Sequence, residues 1–173
     1  REFENSNGRI RIASFCGSST AFDASSLFHR IVASTDSSVG LFSTHVLGPI
    51  TESTDTYDKL QADRERVLCN ANSNAAVFYC SPESILLDGL PYDRCEVGVV
   101  TDVTHSTSLN EYYIFDEEQA YSVNRTQVDV VLGDGCAVLN ADDDLALEMA
   151  GLCDGDIVLY TERSDAVRLF DTV

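Results

Sequence analysis

The stretch "RIRIASFCGSSTAFDASSLFHRIVAS", Arg9 to Ser34, decides the reading of this chain. Its first residues predict a strand through Phe15, and Gly17 opens a turn of small polar residues. "DASSLFHRIVA" then has apolar residues at helical spacing, with Asp23 as the expected cap. Strand, glycine-bearing turn and helix form the layout of a loop that cradles phosphate, because the backbone N–H groups of the turn and first helical residues face outward together. Such a loop also needs a lysine and a hydroxyl just after the turn, and Ala21 and Phe22 stand there instead. The segment keeps the shape and lacks the chemistry.

Further apolar runs of strand length occur at 39–46 ("VGLFSTHV"), 75–80 ("AAVFYC"), 96–103 ("EVGVVTDV"), 136–140 ("CAVLN"), 157–161 ("IVLYT") and 167–170 ("VRLF"). Near-continuous Val, Ile and Leu, rather than strict alternation, predicts strands covered on both faces, as in a parallel sheet. Helical patterns lie between them at 55–71, at 116–132 ("DEEQAYSVNRTQVDVVL") and at 142–153 ("DDDLALEMAGLC"). The repetition predicts an α/β fold of three layers, doubly wound around a mostly parallel sheet. The polar loop 162–166 leaves room for a small hairpin at the C-terminal edge.

At 173 residues the chain suits one domain with a sizeable core. It opens at Arg1 rather than Met, so it is read as a piece of a longer chain, with 1–8 as a tail. The 29 acids outnumber the 11 bases, of which one, Lys59, is a lysine, and the formal net charge is -18. That charge repels nucleic acid and anionic membranes, so neither is an expected partner. The acids are spread along the chain, which fits a solvated surface of the kind found in salt-adapted proteins more than an acidic binding face. No apolar run reaches the roughly 18 residues of a membrane span, and no basic-then-apolar leader is present, so a cytoplasmic setting is expected.

Six cysteines (Cys16, Cys69, Cys80, Cys95, Cys136, Cys153) form no CxxC pair, and most sit in or beside strand patterns. They read as buried thiols rather than disulfides or zinc ligands, which would leave the "NRT" sequon at Asn124 without meaning. No GxSxG elbow supports a hydrolase triad, and His29 and His45 stand singly. Asp142, Asp143 and Asp144 could hold a cation, but consecutive acids opening a helix serve more simply to complement its dipole.

Two segments carry a more specific signal: "ILLDGLPYDRCEVGVVTDV" (85–103) and "GDGCAVLNADDDLALEMAGLCDGDIVLY" (133–160). Together they resemble the central ATP-binding domain of Mur ligases, most closely the Mur-ligase-like domain of cyanophycin synthetases. There the corresponding stretches read like "ILREGLGYDRCDVGVVTNI" and "GGTAVLNADDPLVAAMA". The opening strand and loop fall where that family's strand and phosphate loop fall. The resemblance implies a P-loop-NTPase-like sheet topology, a single central domain over 9–173 and absence of the family's C-terminal lobe. It also implies a chemistry in which ATP phosphorylates a carboxylate and an amine attacks the acyl phosphate, with magnesium, a lysine and backbone N–H groups holding the transferred phosphoryl.

Position by position, this chain departs from that chemistry. Against a loop reading like "GTNGKTT" it has "GSSTAFD", so that Gly17, Ser18 and Ser19 are followed by Thr20 for the second glycine, Ala21 for the lysine and Phe22 for the magnesium-binding hydroxyl. Asp23 adds a charge that repels phosphate. Tyr79 stands for the metal-binding glutamate, and Ser106 and Thr107 for an aspartate and histidine, with His105 out of register. Asn124 stands for a lysine that many relatives carbamylate. "NADD", with Asn140, Asp142 and Asp143, keeps the family's turn on the adenine and ribose side, read here as a strand end with a helix cap or as a residual adenosine contact.

No catalytic residue or metal ligand is therefore expected, and the family's ATP and Mg2+ are expected to be lost. The resemblance implies a structural or assembly domain of a cyanophycin synthetase-like ligase, in which a separate ATP-grasp domain does the chemistry. Its partners would be other domains of that chain or further copies of itself. The alternatives are an ATP-dependent amide ligase domain with residual nucleotide binding, and a module sensing a nucleotide or amino acid.

Overall fold

The computed structural model describes residues 10–35, 39–43, 66–69 and 73–163. Six strands, β1 (Arg11–Cys16), β2 (Val39–Ser43), β3 (Ala75–Tyr79), β4 (Cys95–Val100), β5 (Val131–Asn140) and β6 (Asp156–Tyr160), form one sheet in the order β2-β3-β1-β4-β5-β6. Every pairing is parallel. Such a sheet needs cover on both faces, and the pleat provides for it in sequence. Ile12 and Cys16 of β1 enter one apolar cluster while Ala13 and Phe15 enter another across the sheet. β3 divides likewise, with Ala76 and Phe78 on the first side and Val77 and Tyr79 on the second.

The second side is covered by α1 (Ser19–Thr35) through Ala21, Phe22, Ala24 and Val32. The first is covered by α2 (Pro82–Asp88), α3 (Glu117–Asn124), α4 (Thr126–Asp129) and α5 (Asp144–Glu148), which contribute Ile85, Ala120, Val123, Val128 and Ala146. Helices on both faces of a parallel sheet are the three layers read from the sequence. In the middle of the first side lies a buried polar triangle, in which Tyr92 donates to Ser14 Oγ at 2.5 Å and Ser14 Oγ donates to Gln127 Oε1 at 2.9 Å.

Several local expectations are corrected. Asp23 does not cap α1: the helix starts at Ser19, and Asp23 is exposed within it. The turn is held by Ser18, whose carbonyl accepts from Ala21 N at 3.0 Å and whose Oγ accepts from Thr20 N at 3.4 Å, so the short hydroxyl residue after Gly17 does the work that Asp23 was assigned. The pattern at 116–132 is two helices and a strand start rather than one helix. Asp116 caps α3 by accepting from Gln119 N, α3 and α4 adjoin at Arg125, whose backbone stays right-handed helical, and the β-branched end of the run enters β5.

The apolar stretch opening at Ile85 lies largely in α2, which the periodicity did not reveal. Its signal is the Ser81 cap, accepting from Ser84 N, followed by Pro82 at the first position. β5 is longer than "CAVLN", because Val131 pairs with Cys95 and pairing resumes only at Cys136 with Val97. β6 runs parallel to β5, with α5 and a 3-10 turn at Met149–Leu152 making the crossover, and the second strand of the small C-terminal hairpin expected around the loop 162–166 lies outside the described residues. The run at 167–170, His45, Lys59 and most of the helix expected at 55–71 lie outside the described residues.

Candidate functional site

From β1 the chain passes to β2 and β3 on one side and later to β4 on the other, so β1 lies between β3 and β4. In open parallel sheets, the crevice beyond the carboxyl ends at such a reversal is where ligands bind. Gly17, Ser18, Tyr79, Thr101 and Asp102 all follow or end these three strands.

Gly17 has φ 138°, and a Cβ there would lie 2.4 Å from Thr101 Oγ1 and 3.0 Å from Asp102 Oδ2. Only glycine lets the β1 and β4 ends approach this closely. Thr101 N donates to the Cys16 carbonyl at 3.2 Å, fastening the two ends. The Asp102 carboxylate then accepts from Ser18 N at 3.2 Å to each oxygen, Ser18 Oγ at 3.0 Å, Thr101 Oγ1 at 2.8 Å and Thr104 Oγ1 at 3.0 Å.

Across the loop, Tyr79 OH donates to the carbonyls of Gly17 at 3.2 Å and Ser18 at 3.4 Å. Burial, followed by the neighbouring Cys16, Glu83 and Asp102, pushes its phenol well above the ordinary value, so it stays a neutral donor. The Tyr79 ring meets the Phe22 ring edge-on, with centroids 5.6 Å apart and planes at 72°. Ala21 is fully buried, while Ser19 and Thr20 are exposed. The structure thus brings Gly17, Ser18, Phe22 and Tyr79 together.

Ser106 and Thr107 take part differently. Ser106 Oγ and Ser108 Oγ both donate to Glu83 Oε1, at 3.1 and 2.6 Å, while Thr107 is exposed at the start of a 3-10 turn. His105 Nε2 sits 2.9 Å from Asn110 Oδ1 and 3.1 Å from the Ile114 carbonyl, tying that turn together. Asn124 is fully buried at the end of α3 beside Cys16, whose thiol donates to Oδ1 at 2.9 Å. It lies in the core rather than at the loop.

Burial pushes Glu83 upward, but hydrogen bonds from Ser108, from its own backbone and from Ser106 outweigh it and hold the carboxyl below its usual value. A carboxyl lowered by folding stabilises the protein above its unfolded pKa and loses that contribution as pH falls through the folded value. Ser108→Ala is therefore expected to lower the melting temperature by about 2 °C near pH 7, and by less at an acid pH that has fallen through the folded value of Glu83, where the carboxyl takes up its proton. An equal difference at the two pH values in thermal melts would contradict this account.

"NADD" is engaged within the chain. Asn140 Nδ2 donates to the Thr101 carbonyl at 2.9 Å, and its Oδ1 accepts from Asp142 N at 2.9 Å. Asp142 accepts from Thr161 Oγ1 at 2.7 Å and Glu162 N at 2.8 Å, and pairs with Arg163 Nε at 3.1 Å. Asp143 caps α5 through Ala146 N at 3.0 Å and reaches Val103 N at 2.8 Å. These bonds are the strand-end and cap roles. Among the described residues no three His, Cys, Asp or Glu side chains are placed to share a metal ion.

Burial raises the thiols of Cys16, Cys80 and Cys95, the latter two to about 12, which leaves them protonated and unreactive. Cys69, by contrast, is exposed. No helix among the described residues is long and apolar enough to cross a membrane. The residue that sequence reasoning missed is Asp102. Its signal lay in the resemblance, since the similar stretch reads "VVTNI" where this chain reads "VVTDV".

No protein-family model matches the chain. It is 31% identical over 171 residues to the cyanophycin synthetase of Geminocystis herdmanii (strain PCC 6308), an alignment covering 97% of this chain and 19% of that protein. This chain is related to a segment of cyanophycin synthetase. The cyanophycin synthetase of Crocosphaera subtropica (strain ATCC 51142 / BH68) is 34% identical over 99 residues, or 57% of this chain and 11% of the relative. That of Synechocystis sp. (strain ATCC 27184 / PCC 6803 / Kazusa) is 33% identical over 99 residues. The chain thus spans at most about a fifth of these cyanophycin synthetases.

Proposed function

We propose that this chain is a catalytically inactive Mur-ligase-like domain that serves as a structural part of a cyanophycin synthetase-like ligase, with amide-bond formation carried out elsewhere in the parent protein. The observation that carries the proposal is the Phe22–Tyr79 ring pair at 5.6 Å. In the family that the sequence resembles, these positions supply a hydroxyl and a carboxylate to magnesium. A phenylalanine and a tyrosine packed edge to face offer a single phenol oxygen, which already donates to the loop carbonyls, whereas a hard cation requires a set of oxygen ligands.

The residues present do not fit a magnesium-bound triphosphate. Ala21 is buried where an ammonium would reach the phosphates, and the carboxylate of Asp102 rests on the N–H of Ser18. The engagement of Asn140, Asp142 and Asp143 within the chain argues against a nucleotide sensor. The alignment to a segment of much longer ligases supports a role among the other domains of such a chain.

Isothermal titration of the chain with ATP and Mg2+ is expected to give no binding heat. Micromolar affinity that requires the metal would overturn the proposal.

A further inference from the structure

We infer that Asp102 is a built-in anion: its carboxylate fills the position that a phosphate group would take at the loop after β1, and so closes that loop to phosphate. The inference deepens the proposed function and rests on it. The loop itself retains what an anion site needs. Gly17 has no side chain to keep the Asp102 carboxylate away, and the N–H of Ser18, the residue before the 17-residue α1, donates to that carboxylate.

The anion position is taken. One backbone N–H and three hydroxyls converge on a single carboxylate at 2.8–3.2 Å, and both of its oxygens are engaged. All four donors are neutral, so the charge is held by dipoles and no neighbouring cation among them cancels it. Oδ2 lies 3.0 Å from the place where a Gly17 Cβ would stand, so the carboxylate rests directly against the loop. An arriving phosphate would have to displace this carboxylate from its donors or share them with a like charge at contact distance, and either route opposes binding.

Asparagine at this position, as in the similar stretch "VVTNI", keeps the shape and removes the charge. Asp102→Asn therefore frees the loop, and the chain should then take inorganic phosphate. The test compares melting temperatures in phosphate and in sodium chloride of equal ionic strength, for the unsubstituted chain and for Asp102→Asn. Phosphate stabilises many proteins non-specifically, so the readout is the difference between the two chains. With phosphate at ten times its dissociation constant, the variant should gain about 3 °C more than the unsubstituted chain. Asp102→Ala carries the same test should Asp102→Asn fail to fold.

An extra gain in either variant supports the inference. It is overturned if no folded variant gains more than the unsubstituted chain, or if the unsubstituted chain binds phosphate itself. Both of those results leave the proposed function standing. Magnesium-dependent ATP binding by the unsubstituted chain removes the proposed function instead.

Discussion

Phe78→Ala is expected to lower the unfolding free energy by about 4 kcal/mol and the melting temperature by roughly 12 °C. Phe78 lies on β3, next to β1 at the centre of the sheet, and has no exposed surface. Its ring packs against Phe42 of β2 at 5.5 Å and against Tyr92 at 5.3 Å. Truncation removes the ring's burial and leaves a cavity between parallel strands whose backbones cannot close on it without breaking their ladder. It also withdraws the wall that orients Tyr92, whose hydroxyl bonds Ser14 at 2.5 Å and Gln127 Oε1 at 2.8 Å. Phe78→Leu, which retains most of the volume, should cost less than half as much. Denaturant melts of the three proteins test the account, and a loss under about 1.5 kcal/mol for Phe78→Ala contradicts it.

The second large effect is expected from a pair of glycine substitutions. Gly17 and Gly89 both have positive φ, at 138° and 74°. They differ in surroundings, since a Cβ at Gly89 meets nothing within 4 Å whereas one at Gly17 strikes Thr101 Oγ1 at 2.4 Å. Gly89→Ala should therefore cost only the penalty of a backbone conformation that glycine alone adopts readily, φ 74° with ψ -173°, about 2 kcal/mol. Gly17→Ala adds a clash with Thr101 Oγ1 that must displace this hydroxyl from its bond to Asp102, and should cost about 3 kcal/mol or more. Equal losses in parallel melts would show that the approach of the two strand ends is softer than the geometry says. If the loop binds nothing, as proposed, this cost falls on stability alone.

The sheet was legible because its strands are apolar on both faces, so "AAVFYC" and "EVGVVTDV" stand out as runs with no need for periodicity. Helix boundaries were less so, since they are set by single hydrogen bonds. Asp23 is the cap that the sequence suggests, and only the turn after Gly17 moves the start of the helix back to Ser19. α2 was hidden because seven residues are too few to show a period, leaving Ser81 and Pro82 as the cue. At the site, the resemblance led to Gly17, Phe22 and Tyr79, which the fold gathers at one edge. It also led to Asn124, which the fold buries beside Cys16. Asp102 escaped because an aspartate after a strand is common, and its meaning depends on donors 84 positions away in the chain.

The burial of Ala21 gives sequence change at this loop a direction. Ala21 has no exposed surface and packs in the same apolar cluster as Phe15 and Tyr79. A lysine restored there alone would bring an ammonium against hydrocarbon, with the Phe22–Tyr79 pair still filling the neighbouring space. The metal ligands would have to return first, and each of them would in turn open a gap beside Ala21. On the proposed reading, every single step back toward a nucleotide site begins downhill in stability, so the loss works as a ratchet: a descendant would more readily acquire a new use for this edge than regain the old one.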